Sequence, residues 1–146
     1  GVVMGSEISA GVRNVFVRNC TMNSPNLDRA IRIKTNTLRG GFVENVYVKD
    51  REVGQVKEAV LKINTYYGIY GKQEGEFIPT IQNINLENVT VENGGKYGLL
   101  IQGREEKPVT GISLKNVTIK NADTPLKVEH CEPISYTNTT INQKSY

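Results

Sequence analysis

An eight-residue phrase recurs five times along this chain: apolar, any, apolar, any, Asn or Asp, any, Thr or Glu, apolar. It reads Val15-Phe16-Val17-Arg18-Asn19-Cys20-Thr21-Met22, then Val46-Tyr47-Val48-Lys49-Asp50-Arg51-Glu52-Val53, then Ile84-Asn85-Leu86-Glu87-Asn88-Val89-Thr90-Val91, then Ile112-Ser113-Leu114-Lys115-Asn116-Val117-Thr118-Ile119. A weaker fifth copy is Ile134-Ser135-Tyr136-Thr137-Asn138-Thr139-Thr140-Ile141. Successive copies start 31, 38, 28 and 22 residues apart. A fixed phrase separated by variable loops predicts a solenoid with one rung per repeat.

The phrase carries two alternating stretches joined at its fifth place. Apolar residues two apart share one face of a strand, and Asn tolerates the left-handed backbone region better than any residue but Gly. Asn therefore turns the chain between two short strands without ending the rung. After the turn, Cys20, Val89 and Val117 are expected inward together with Met22, Val91 and Ile119, and rungs stack at about 4.8 Å. The resulting expectation is an all-β parallel β-helix of about five rungs, with Val15, Val46, Ile84 and Ile112 in one interior column. A β-sandwich offers similar strand lengths but does not repeat one phrase five times.

Composition sets limits on this frame. One hundred and forty-six residues suit one domain, 1-146, and 38% hydrophobic content without Trp suits strands and turns, so no helix is expected. The net charge of +3 comes from scattered basic residues, which gives no case for nucleic acid. No apolar stretch reaches the length of a membrane span, and no signal sequence is read at the start.

Each rung also carries a second strand upstream of its phrase: Val2-Val3-Met4-Gly5-Ser6, Ala30-Ile31-Arg32-Ile33-Lys34, Val60-Leu61-Lys62-Ile63-Asn64, Gly98-Leu99-Leu100-Ile101-Gln102 and Leu126-Lys127-Val128-Glu129. With Ile31, Ile33, Leu61 and Ile63 inward, Arg32, Lys34, Lys62 and Asn64 point out. Three cations are then expected in one surface column at a spacing of about 4.8 Å, where they repel unless an anion lies among them. Such a column suits a polymer with one carboxylate per sugar. On composition alone, solvated cations on an exposed strand are the plainer explanation.

Arg32-Ile33-Lys34, with Gly1-Val2-Val3-Met4-Gly5-Ser6-Glu7 before it and Thr35-Asn36 after it, resembles the second half of the polygalacturonase-type glycoside hydrolases, the pectin-degrading family 28. The stretch Ser24-Pro25-Asn26-Leu27-Asp28-Arg29-Ala30-Ile31-Arg32-Ile33-Lys34-Thr35 is most similar to bacterial members. That resemblance implies a right-handed parallel β-helix of the pectin lyase-like kind. It implies that Arg32 and Lys34 bind the carboxylate and hydroxyls of a galacturonate unit, with a tyrosine of the next rung completing the site. Tyr66 and Tyr67 are both placed for that role, and Lys62 stands beside them as a further substrate-binding candidate. It also implies export to an extracellular or periplasmic location, an acidic polysaccharide as partner, and no cofactor.

The chain departs from the family at the catalytic motifs. The family hydrolyses with inversion through aspartates of Asn-Thr-Asp and Asp-Asp motifs and a histidine of Gly-His-Gly, and this sequence contains none of them. Gly1 resembles the glycine just beyond that histidine. Inversion needs an acid and a base carboxyl about 6.5 to 9.5 Å apart, so no catalytic residue is assigned and the chain alone is expected to be inactive, as the C-terminal part of a longer catalytic solenoid. Glu7 and Asp28 are poor substitutes, since Asp28 beside Arg29 reads as an exposed salt bridge. His130, the only histidine, reads as structural or exposed. No metal is expected, and Glu105-Glu106 between Arg104 and Lys107 reads as a solvated turn.

The two cysteines belong to opposite ends of the stack. Cys20 and Cys131 are separated by four rungs, about 19 Å at strand spacing, which a disulfide cannot span. Free thiols are expected, with Cys20 a small buried hydrophobe. The sequons at Asn19, Asn88, Asn116 and Asn138 coincide with the turn position, so their spacing belongs to the fold and is weak support for glycosylation.

Two functions fit this sequence. One is a portion of a pectin-type hydrolase that carries the substrate-carboxylate side of the site. The other is a β-helix that binds acidic polysaccharide without cleaving it. An apolar first strand without a polar cap favours the hydrolase and also leaves an open edge, through which self-association at the N-terminal rung is expected.

Overall fold

A computed structural model describes residues 1–68 and 74–146. The described residues contain twelve strands and no helix: β1 Val2–Met4, β2 Gly11–Met22, β3 Arg29–Lys34, β4 Phe42–Gln55, β5 Ala59–Asn64, β6 Thr80–Asn93, β7 Gly95–Gln102, β8 Thr110–Ile119, β9 Ala122–Glu129, β10 Ser135–Thr137, β11 Thr140–Ile141 and β12 Lys144–Ser145. Short and long strands alternate along the chain and sort into two sheets. The first runs β1-β3-β5-β7-β9, and the second runs β12-β11-β8-β6-β4-β2 with β10 also on β8. Every pairing is parallel except β11 with β12. Each strand therefore pairs with its counterpart one repeat away, which is a parallel β-helix.

The register follows the phrase copy for copy. Val15 pairs with Val46, Val46 with Ile84 and Ile84 with Ile112, as a single column. Val48, Leu86 and Leu114 form the next, and Val53, Val91, Ile119 and Ile141 a third. The opposite wall is built by Ile31, Leu61 and Leu99 and by Met4, Ile33, Ile63 and Ile101. All of these meet in one buried core, with Val15 only half-buried in the first long strand.

The long strands are continuous in hydrogen bonding yet bend twice. At the phrase's turn position, Asn19, Asp50, Asn88, Asn116 and Asn138 all have φ between 47° and 54°. Their side chains form a ladder in which Asn88 donates to Asp50 at 3.0 Å, Asn116 to Asn88 at 3.1 Å and Asn138 to Asn116 at 2.8 Å. A second bend lies one residue before each of the first four copies. Asn14, Asn45 and Asn83 have φ of 58°, 56° and 58°, and Gly111 takes the same place at 68°. Here Asn45 donates to Asn14 at 3.2 Å and Asn83 to Asn45 at 2.7 Å.

Three expectations change on this frame. Cys20 is exposed and its thiol donates to the Arg18 carbonyl, because β2 pairs on one side only and no rung covers the column it shares with Arg51, Val89 and Val117. Arg51 occupies the inward place one rung on, 3% exposed, with its guanidinium 3.9 Å from the Met22 sulfur. Of the first-strand residues, Met4 is buried, Val2 half-buried, and only Val3 stands exposed. The three outward cations form two columns rather than one: Arg32 pairs in register with Lys62, and Lys34 with Asn64. Both cysteines are free.

Replacing Leu86 by Ala should lower unfolding stability by roughly 2–5 kcal/mol, as for other large-to-small core changes. Lys49 pairs with Glu87 at 3.0 Å on the exposed side, and its replacement should change stability by at most about 1 kcal/mol. At Asn88 both Gly and Ala lose the ladder bonds to Asp50 and Asn116, and Ala should be worse than Gly by about 1–2 kcal/mol, since a Cβ without a polar head is penalised in the left-handed region. Denaturant titrations of the four variants check this. The half-buried Cys131 thiol is pushed up to about 11 by burial and then by Glu132. Alkylation at pH about 8 should modify Cys20 and spare Cys131, whose reaction should appear only as pH approaches that value.

Candidate functional site

The outward face of the first sheet carries a dense group of cations. Arg29, Arg32, Lys34 and Lys62 project from β3 and β5, and two carboxylates stand among them, Glu58 and the exposed Asp28. Glu58 lies between Arg29 and Lys62, accepting from Lys62 at 2.6 Å. The Lys62 side chain is only 12% exposed, so its charge is already balanced within the protein. Burial, and then the Arg32 charge, holds the Arg29 pKa below its ordinary value; burial, then Arg29 and Arg32, does the same for Lys62. An excess of positive charge that depresses its own members stabilises an incoming anion.

Tyr67 decides which cations act together. Its ring lies 5.1 Å from the Arg32 guanidinium and 4.6 Å from Lys34 Nζ, within cation–π range of both. Tyr66 turns away and stacks on Arg104, 4.0 Å from its guanidinium. The structure thus brings Arg32, Lys34 and Tyr67 together, leaves Lys62 beside them tied to Glu58, and places Tyr66 elsewhere. Arg32 Nε is buried without a hydrogen-bond partner among the described residues.

Backbone contacts fix Tyr67 in that position. Its N–H donates to the Thr35 carbonyl at 3.0 Å, and Asn36 Nδ2 donates to its carbonyl at 2.8 Å. Asn36 is buried, and its Oδ1 accepts from the N–H groups of Leu38 and Arg39 at 3.0 and 3.1 Å. The turn after β3 and the turn after β5 are therefore one hydrogen-bonded unit. A cleft of about 230 Å³ opens beside it, lined by Glu7, Asn36, Leu38, Arg39, Tyr67 and Gly68.

The remaining candidates lie apart from this group. Asp28 is 60% exposed with Arg29 at 3.8 Å, the salt bridge expected of it. Glu7 is exposed and pairs with Arg39 at 3.5 Å. His130 is exposed on a left-handed turn with φ 49°. Among the described residues no group of three His, Cys, Asp or Glu could hold a metal ion. Arg104 corrects its reading as part of a solvated turn: it is 3% exposed, while Glu105, Glu106 and Lys107 next to it are exposed. Its partner Glu74 lies thirty residues upstream, so nothing local in the sequence pointed to the pair.

The model of glycosyl hydrolases family 28 matches residues 1–142. This chain belongs to glycosyl hydrolase family 28. It is 33% identical over 129 residues to a probable polygalacturonase of Vitis vinifera, covering 87% of this chain and 26% of that protein. It is 31% identical over 90 residues to a polygalacturonase of Ralstonia solanacearum, covering 60% of this chain and 16% of that one. Among solved structures, a hyperthermoactive exopolygalacturonase from Thermotoga maritima superposes with a TM-score of 0.89 at 35% identity, over all of this chain and 31% of that one. The family 28 chain therefore spans about a quarter of the Vitis protein and under a third of the Thermotoga one.

Replacing Asn36 by Ala should lower stability by about 1–3 kcal/mol, because it leaves a half-buried carbonyl and two N–H groups without their partner. Asn36→Asp, which keeps the acceptor and loses the donor to Tyr67, should fall between Ala and wild type in a denaturant titration.

Proposed function

We propose that this chain is the substrate-carboxylate side of a galacturonan-hydrolysing site, with Arg32 and Lys34 holding the carboxylate and hydroxyls of one galacturonate unit and Tyr67 completing the contact. The observation that carries this is the convergence of Arg32 and Lys34 on one tyrosine ring at 5.1 and 4.6 Å. A guanidinium offers a planar fork for a carboxylate and an ammonium a point charge beside it, while the ring supplies a flat apolar face. Family membership and the polygalacturonase names of its relatives support the same substrate class.

The acid and base of an inverting hydrolysis come, in this proposal, from residues outside the given sequence, which lacks the family's aspartate and histidine motifs. The chain is then the C-terminal part of a longer solenoid, and by itself it binds without cleaving. A polymeric substrate places the work outside the cytoplasm, in an extracellular or periplasmic location.

Calorimetric titration with trigalacturonate tests the assignment. Arg32→Ala and Lys34→Ala should each weaken binding by about tenfold or more, the scale of a lost hydrogen bond to a charged group, whereas Lys49→Ala should not. Binding should also weaken as salt rises. Unchanged affinity in both site variants would overturn the assignment, and reducing-sugar release from polygalacturonate by the 146-residue chain would overturn the claim of inactivity.

A further inference from the structure

Tyr67 itself is held by Asn36 and Thr35, and the two residues before it are held by a residue to which no role is attached. Lys34, Asn64 and Gln102 are register partners in β3, β5 and β7, so the residues two further on, Asn36, Tyr66 and Arg104, occupy successive places at one corner of the helix. The N–H groups of Thr35 and Thr65 reach the carbonyls of Asn64 and Gln102 at 2.9 and 3.1 Å, which keeps the rungs in step through that corner. Arg104 enters it directly after Gly103, whose backbone lies so close to the next rung that a Cβ there would sit 2.1 Å from the His130 carbonyl oxygen.

The Arg104 guanidinium uses every edge and one face. Nε and Nη2 donate to the Thr65 carbonyl at 3.3 and 3.1 Å, Nη1 and Nη2 donate to the Glu74 carboxylate at 2.9 and 3.3 Å, and the plane stacks against Tyr66. Thr65 and Tyr66 precede Tyr67, and Glu74 follows it. One buried side chain thus ties together both flanks of the segment that presents the ring. Burying a guanidinium is costly for stability, and well-packed apolar residues generally serve as well or better. A planar five-donor group is suited to fixing three partners at once, which no apolar residue or lysine does.

We propose that Arg104 is a positioning residue for the substrate site, holding Tyr67 over Arg32 and Lys34 by clamping Thr65, Tyr66 and Glu74. This rests on Arg32, Lys34 and Tyr67 forming the galacturonate-binding group. Glu74 is held ionised below the usual carboxylate range by its hydrogen bond to Arg104. The clamp is therefore complete at neutral pH and opens only as pH falls through that lowered value, where Glu74 becomes protonated.

The test uses the 146-residue chain with ¹³C-labelled tyrosine, the Tyr67 ring signals being assigned with Tyr67→Phe. In Arg104→Lys, and more strongly in Arg104→Met, the Tyr67 signals should shift or broaden and their cross-peaks to the Lys34 side chain should weaken, while Tyr47 and Tyr136 keep theirs. Trigalacturonate affinity should fall by about tenfold in Arg104→Met, within the range of single-residue effects. Tyr67 signals unchanged in a folded Arg104→Met overturn the proposal; if that variant fails to fold, unchanged signals in Arg104→Lys do so. Should the wild-type chain not bind trigalacturonate, the proposed function fails, and the Tyr67 signals alone support or overturn the role of Arg104.

Discussion

The left-handed turn at the fifth place of the phrase is the constraint on which the rest of the molecule depends. A strand that simply ran on would build a flat sheet, with no interior to fill. Five residues with φ near 50°, each an Asn or Asp, bend the long strands at the same point in every rung, and three of the four side-chain steps between them are bridged by hydrogen bonds. The bend encloses the core, the ladder fixes neighbouring rungs in register, and the register carries apolar residues into columns. The outward columns follow from the same register, including the pairing of Arg32 with Lys62 and of Lys34 with Asn64.

Much of this was legible because a repeat states its own register. The interior column of Val15, Val46, Ile84 and Ile112 and the turn residues could be read from spacing alone, since a solenoid maps sequence period directly onto stacking. The second bend carries an equally plain signal, Asn before the phrase in three copies and Gly in the fourth, just outside the eight residues that repeat most fully. Cys20 departs from its alternation for a different reason. Its pattern is inward, but burial belongs to the stack, and a residue in the first rung lacks a neighbour on one side whatever its alternation.

The site was legible in part, and the division is physical. Arg32 and Lys34 sit on a strand, where alternation gives direction, so their exposure followed from the sequence. Tyr66 and Tyr67 sit on a turn, where direction depends on who holds the backbone. Only the contacts of Asn36 and Thr35 with Tyr67, and of Arg104 with Tyr66, separate the two tyrosines. The neutralising role of Glu58 was also out of reach, since its reach to both Arg29 and Lys62 depends on how the turn before β5 lies against β3.

The longest interval between copies, 38 residues against 28 for the next, contains the turn that presents Tyr67. Loop-closure entropy grows only logarithmically with length, so fifteen residues between β5 and β6, against seven between β7 and β8, cost only about 0.7 kcal/mol more. The rungs on either side stay bonded strand to strand, and the corner adds its own bonds to both neighbours, from Asn36 to Tyr67 and from Arg104 to Thr65 and Glu74. A longer connection at this corner therefore costs the stack little in closure entropy, provided the bonds between neighbouring turns are kept. A fold of this kind separates its tolerance from its precision: one corner can lengthen while the wall that carries the charges is left as it is.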